Sequence, residues 1–215
     1  RPADIAQMLQ ELEPQRRDQI ASWMDDSRLA EVLEELPEDD QVEILSALDL
    51  ERAADVLEEM EPDDATDLVS ELDPQLAALL LQRMEPDDAE DIRRLLTYEE
   101  STAGGMMTTE PVILGPDATI ADALAYVRAS DLSPALASQV YITRPPLESP
   151  TGRFIGAAHF QVLLREPPST LVVEVVDQEL EAIGPATPLG QVARYFAIYN
   201  LVAVPVVDET DHLLG

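Results

Sequence analysis

Pro62-Asp63-Asp64-Ala65-Thr66-Asp67-Leu68-Val69-Ser70-Glu71-Leu72 is one unit of a repeat that fills the first hundred residues. Proline suits the first turn of a helix, where its missing N–H would have no partner in any case. Asp63 and Asp64 follow in that turn, where the helix dipole favours negative charge. Ala65, Leu68, Val69 and Leu72 fall at i, i+3, i+4 and i+7 and mark one apolar face. Asp73-Pro74 ends the unit, because a residue before proline avoids the helical region. Each unit reads as one short helix, and Pro86-Asp87-Asp88-Ala89-Glu90-Asp91-Ile92 repeats the design.

Outward from this unit the register holds without a slip. Leu12, Met24, Leu36, Leu48, Met60, Leu72, Met84 and Leu96 recur every twelve residues. A second column runs Met8, Ile20, Val32, Ile44, Val56, Leu68, Leu80 and Ile92. A fixed period this short predicts a solenoid, right- or left-handed, in which neighbours bury each unit. Trp23 and the methionines of the columns read as core. The longest apolar runs, near Leu76–Leu81 and Leu201–Val207, fall far short of the roughly twenty residues a membrane-spanning helix needs. The chain starts inside a repeat with no signal-peptide pattern, as expected of a piece of a longer protein.

Charge adds a second constraint. The net charge is −31, and 31 of the 44 acids lie within residues 1–100 against eight arginines. Such a surface repels phosphate backbones, so no nucleic-acid partner is expected. It attracts divalent cations where carboxylates from separate elements converge. Without cysteine there are no disulfides, zinc thiolates or cysteine nucleophiles. No Gly-rich phosphate loop or nucleophile–base pair stands out, so no enzyme activity is expected.

Beyond Tyr98 the pattern changes. Glu99–Met107 is turn-rich, with Gly104 and Gly105, and marks a domain boundary. Strand, helix and hairpin follow: Pro111–Leu114, Thr119–Ala129, then Val140–Ile142 and Phe154–Ala157 around a loop with Pro145, Pro146, Pro150 and Gly152, and a short helix Phe160–Arg165. The order recurs through strands at Val172–Val176 and Glu181–Gly184, a helix Leu189–Tyr199 and a strand Ala203–Val207. The expected organisation is an acidic α-superhelix over 1–98, a junction over 99–110, and two βαββα modules over 111–168 and 169–215, the second incomplete.

Three stretches carry a family resemblance: Tyr98-Glu99-Glu100-Ser101-Thr102-Ala103-Gly104-Gly105-Met106-Met107-Thr108-Thr109-Glu110, the Pro-Asp-Asp-Ala-x-Asp helix start at Pro62, and Leu201-Val202-Ala203-Val204-Pro205-Val206-Val207-Asp208. With them the chain resembles the cytosolic part of MgtE-type magnesium transporters and channels, an N domain followed by a CBS pair. The resemblance implies a cytosolic Mg²⁺ sensor in which carboxylates hold the ion and closure of the acidic domains shuts the pore of an attached transmembrane domain. It also implies homodimers through the CBS modules, with the helix Leu189–Tyr199 as a candidate face. Carried over repeat by repeat, the family's N-domain Mg²⁺ ligands fall on Glu31, Asp63 and Asp67. Asp63 and Asp67, four apart, share a helix face. Asp64, Asp87, Asp88 and Asp91 are further candidates.

Departures from the family pattern matter too. Pro188 and Asn200 stand where the family often carries acids in the second CBS module. CBS pairs also take adenine nucleotides through a Ser/Thr-x-x-Asp at each module's last helix; here His159 and Val162 replace the hydroxyl and the acid, so nucleotide binding is not expected at that module. His159 reads as a packing or surface residue. The long proline-rich loop Arg144–Pro150 points to a divergent branch. The alternative to a channel's regulatory region is a stand-alone CBS sensor or scaffold with a protein partner.

Overall fold

The computed structural model describes residues 1–128, 136–177 and 180–215. They form two compact units, Arg1–Thr97 and Tyr98–Gly215. No helix among the described residues is long and apolar enough to cross a membrane.

The first unit contains eight helices: α1 Pro2–Gln10, α2 Pro14–Ala21, α3 Asp26–Leu33, α4 Glu38–Ala47, α5 Leu50–Glu58, α6 Pro62–Glu71, α7 Pro74–Arg83 and α8 Pro86–Leu95. Each helix packs on the next but one, α1–α3–α5–α7 in one stack and α2–α4–α6–α8 in the other. The structural repeat is therefore a helical hairpin of 24 residues, twice the sequence period. The two stacks start differently. Asp25, Asp49 and Asp73 cap α3, α5 and α7, each accepting from backbone N–H groups of its first turn. The even helices have Glu or Pro at that place and no side-chain cap.

One core joins the stacks. Leu9, Leu29, Leu33, Ile44, Leu45, Leu57, Leu68, Leu80 and Ile92 are almost wholly shielded from solvent. Burying a Leu or Ile side chain contributes about 1.5–3 kcal/mol each, which is what holds helices too short to persist alone. The register columns are not core throughout, however. Met8 is 66% exposed and Trp23, just past the end of α2, is 74% exposed. Both side chains face solvent, so the core expectation for these two is corrected.

In the second unit, β1 Ile113–Leu114 runs parallel to β2 Gln139–Thr143, and β2 antiparallel to β3 Phe154–His159. Every residue of β2 is buried. Val140 and Ile142 face one cluster with Val112, Leu114, Ile120 and Leu163; Tyr141 faces another with Ala157 and Leu213. The strand is thus covered on both faces, as in a sheet between two modules. Helix α9 Ile120–Val127 begins with a reciprocal capping box between Thr119 and Asp122. The expected helix end at Ala129 lies outside the described residues. Helix α10, Phe160–Leu163, follows β3 directly.

The second module is looser than expected. Val172–Glu174 is a 3₁₀ turn rather than part of a strand. The expected strands at Glu181–Gly184 and Ala203–Val207 are reduced to single bridges, Ile183 with Val206 and Val207 with Leu213. Helix α11 spans Leu189–Tyr199 as its apolar spacing predicts. The junction segment joins this module: Ala103 N–H donates to the Thr187 carbonyl, Gly104 N–H to Pro185, and Leu189 N–H to Ser101. A side chain at Gly104 would strike the Tyr98 ring at 2.7 Å, which explains the glycine.

Candidate metal centre

The start of α6 and the end of α3 concentrate negative charge. Proline at the first position of α6 puts Asp63 and Asp64 in the first turn, and Asp67 one turn on. Glu34, just past α3, turns its carboxylate to the backbone and accepts the Glu61 N–H at 2.9 Å. That bond ties the end of α3 to the start of α6, which has no side-chain cap of its own. Glu31, on the last turn of α3, pairs with Arg28 at 2.6 Å and stays exposed. Asp67 is also exposed, while Asp63, Asp64, Glu34 and Glu61 are partly buried.

The electrostatics are unfavourable without a cation. Asp63 is pushed up to about 7, first by burial and then by Asp64, Glu61 and Asp67, against the pull of a hydrogen bond from its own backbone N–H. Asp64 is pushed up to about 6, by burial and then by Glu34, Glu61 and Asp67. Glu34 is raised by burial and by Glu61, Asp63 and Glu31, against the pull of its bond to the Glu61 N–H. Asp63 Oδ1 is shielded from solvent and accepts no hydrogen bond. A buried acceptor with no donor, amid like charges, fits a cation. Among the described residues no three acids or histidines already stand close enough to cage a bare ion. The donor set suits a hydrated Mg²⁺, which keeps several waters and takes one or two carboxylates.

Of the expected trio, Asp63 and Asp67 stand together on α6 near Glu34, whereas Glu31 neighbours Glu34 and pairs with Arg28. Glu34 and Glu61 are additions that no single repeat reveals. Their signal is a pair of glutamates 27 residues apart, and it recurs: Glu58 accepts the Glu85 N–H at 2.6 Å, one hairpin later. Asp87, Asp88 and Asp91 occupy the corresponding layer on α8. Asp88 is raised by burial and by Asp91, Asp87 and Glu85, and Asp91 pairs with Arg94 at 2.7 Å. These three form a separate cluster, with each other and Glu85 as neighbours.

In the second unit Asn200 is the left-handed C-cap of α11, at φ 53° and ψ 45°. Asparagine tolerates that conformation, so a backbone demand accounts for it. His159 lines a cavity of about 370 Å³ with Asp177, Glu181, Tyr195 and Tyr199.

Comparison with known proteins agrees with this architecture. The family described as the MgtE intracellular N domain matches residues 1–101. Two magnesium transporters named MgtE, from Thermus thermophilus and Enterococcus faecalis, are each 29% identical over 124 residues, which is 58% of this chain and 26% of theirs. The matched part thus spans about a quarter of the length of these relatives. Two solved structures superpose over 100% of the chain. The soluble part of a magnesium transporter does so with TM-score 0.89 at 26% identity, covering 83% of that structure. The cytosolic domain of the Mg²⁺ channel MgtE in complex with ATP does so with TM-score 0.87 at 29% identity, covering 86%. A cystathionine beta-synthase pair domain from Shewanella oneidensis matches 74% of the chain, and 89% of that domain, with TM-score 0.56 at 17% identity, a likeness of fold alone. Residues 1–101 thus match the MgtE intracellular N domain, and the chain is similar over its whole length to solved MgtE cytosolic structures, with a helical unit followed by a CBS-like pair.

Proposed function

We propose that this chain is the Mg²⁺-sensing regulatory region of an MgtE-type magnesium transporter or channel, on the cytosolic side of an attached transmembrane domain. The observation that carries the reading is the buried Asp63 Oδ1, which has no donor while Asp64, Glu34 and Glu61 crowd it. Asp63 and Asp67, with Glu31 at the end of α3, are the residues that would hold the ion. A divalent cation offsets the repulsion among them and favours the compact arrangement of the acidic unit. Weak affinity follows from so few direct ligands, which suits a sensor of millimolar ion. The chain acts by binding and shape change, not by catalysis. Leu189, Ile198 and Tyr199 of α11 are exposed apolar side chains and support a homodimer through the CBS modules.

Solution scattering of the chain, titrated with Mg²⁺ against matched ionic strength from a monovalent salt, tests this. A fall in radius of gyration with Mg²⁺ alone, lost in Asp63→Ala, is expected. No change beyond the salt control would sink the sensor reading and favour a stand-alone CBS scaffold.

A further inference from the structure

The second unit holds a cavity of about 370 Å³ where the end of β3 meets α11, lined by His159, Asp177, Leu180, Glu181, Tyr195 and Tyr199. That volume is in the range of small-molecule sites. Its chemistry is one-sided. Two acids and two phenol rings contribute, and none of the thirteen arginines of this lysine-free chain is among the described lining residues. Tyr195 and Tyr199, one turn apart on α11, stand with ring centroids 4.7 Å apart and planes tilted by 53°, so that they form an aromatic corner. Tyr195 Oη donates to the Glu181 carbonyl at 3.3 Å, and its pKa is raised by burial and then by the charge of Glu181 beside it. Asp177 is held by its backbone, whose N–H donates to the Ala157 carbonyl at 2.7 Å. A separate observation comes from the sheet. Gln139 of β2 lies opposite His159 of β3, and directly opposed residues share a face. Tyr141, two residues on, shares that face, and Leu180 of the lining packs against its cluster. Gln139 is only 2% exposed. Its amide nitrogen donates to Tyr141 Oη at 2.5 Å, while its Oε1 is shielded from solvent and has no donor. A buried acceptor without a partner therefore stands on the sheet face to which His159 and Leu180 of the lining belong, and such an acceptor calls for a donor.

We propose that this cavity binds a small organic cation that carries N–H donors, an alkylammonium or guanidinium compound. Asp177 and Glu181 supply the countercharge, the Tyr195–Tyr199 corner packs on the cation, and Gln139 Oε1 accepts one of its N–H groups. The assignment is independent of the Mg²⁺ reading above and concerns the other unit. Three features select this class of ligand. A phosphate or carboxylate would meet acids and acceptors, with no guanidinium in the lining to pair with it. A metal ion finds no cage, since no three acids or histidines stand close enough together among the described residues. Aromatic faces and Leu180 offer a hydrated metal nothing, but they suit the face of an organic cation and its alkyl stem.

Calorimetric titration of the whole chain with agmatine, which carries both an ammonium and a guanidinium, tests this. The buffer holds saturating Mg²⁺ and roughly 0.15 M salt, so that diffuse attraction to the acidic helical unit is screened. A saturable one-site isotherm is expected. Glu181→Gln should weaken it roughly tenfold or more, because a charge-assisted bond is lost. Tyr195→Leu keeps an apolar side chain but removes a ring face, and should weaken it about threefold. Gln139→Leu should weaken it as well; if that buried variant melts too low to titrate, the other two decide. Asp63→Asn, in the helical unit, should leave the isotherm unchanged. The absence of a saturable isotherm overturns the proposal. So does an isotherm that Glu181→Gln and Tyr195→Leu leave unchanged, which would be attraction to the acidic surface at large. ATP serves as an anionic probe and is expected not to bind in the cavity. ATP binding that Tyr195→Leu weakens would make this a nucleotide site and overturns the proposal too.

Discussion

In the helical unit Asp63, Asp64, Glu34 and Asp88 all hold their protons more tightly than an ordinary carboxyl, because burial and neighbouring acids oppose ionisation. In the CBS-like unit Asp122 and Asp208 hold theirs less tightly. Asp122 is lowered by the Thr119 hydroxyl and N–H. At Asp208 burial pushes upward, but donors from His212 and Thr210 outweigh it and bring the group down to about 2. The contrast is one of backbone architecture. Turns and caps in an α/β module aim N–H and hydroxyl donors at each acid. A solenoid of short helices lines acids up along its layers, and the donors of each helix interior are already spent on the helix. Unresolved charge therefore collects in the first unit, where an ion can act on it.

The largest effect expected is one that both units share in kind but not in reach. Leu57, 1% exposed between repeats, should lose about 2–5 kcal/mol as Leu57→Ala. Because each repeat is buried by its neighbours, the loss should spread along the helical unit. Hydrogen exchange would show faster exchange across α3 to α7 and unchanged exchange around β2. Loss of protection in both units together would break the picture of two compact bodies.

Next in size is the pH response without metal. Asp63 and Asp64 have folded pKa values above the ordinary 3.8, so the folded state binds more protons than the unfolded one between that value and about 7. Stability is highest below this window and falls as pH rises through about 6 to 7. Asp122 and Asp208 run the other way: their contribution is present above about 4 and is lost only in stronger acid. Melting in EDTA between pH 5 and 8 should therefore fall with rising pH in wild type. The slope should flatten in Asp63→Asn, and an undiminished slope would place the titrating groups elsewhere.

Helix positions in the first unit are legible because proline, acid and apolar spacing all agree: α6 and α8 start at the prolines their units announce. The doubling of the repeat is written more faintly, in the alternation of Asp caps on odd helices with Glu or Pro at even ones. It surfaces only once the stacks are seen. Met8 stands in an apolar column and is nonetheless exposed, since periodicity says which face is apolar and not whether anything covers it. In the second unit Val172–Val176 is an apolar run without a period, and a 3₁₀ turn satisfies it as well as a strand. For the candidate site, Asp63 and Asp67 follow from a family resemblance. Glu34 does not, because its role is a bond across 27 residues that no spacing within one repeat encodes.

A smaller effect belongs to the capping box of α9. Thr119→Ala removes the hydroxyl that accepts from the Asp122 N–H and donates to the Asp122 carboxylate. It should cost about 1 kcal/mol, the usual worth of such a cap. Because Asp122 is already satisfied by Thr119, the loss should be the same with and without Mg²⁺. A loss that Mg²⁺ reverses would contradict the separation of roles between the units.

The smallest expected change is also the sharpest probe of the contrast. Glu34→Gln keeps an oxygen able to accept the Glu61 N–H but removes one charge facing Asp63 and Asp64. In EDTA the two effects have the same sign, since a neutral amide spares the bond and relieves the repulsion. Melting should therefore rise slightly, by an amount within about 0.5 kcal/mol. Glu34→Ala loses the bond as well and should melt lower than Glu34→Gln. At saturating Mg²⁺ the order reverses for wild type and Glu34→Gln, because the charge that was a burden without the ion then helps to hold it. Glu58→Gln, one hairpin later, keeps the equivalent bond to the Glu85 N–H. There the same substitution should leave the Mg²⁺ response unchanged, because the layer on α8 has Arg94 paired with Asp91. Equal responses at the two positions would mean that the layers answer to the ion alike, and that the one on α6 is not special.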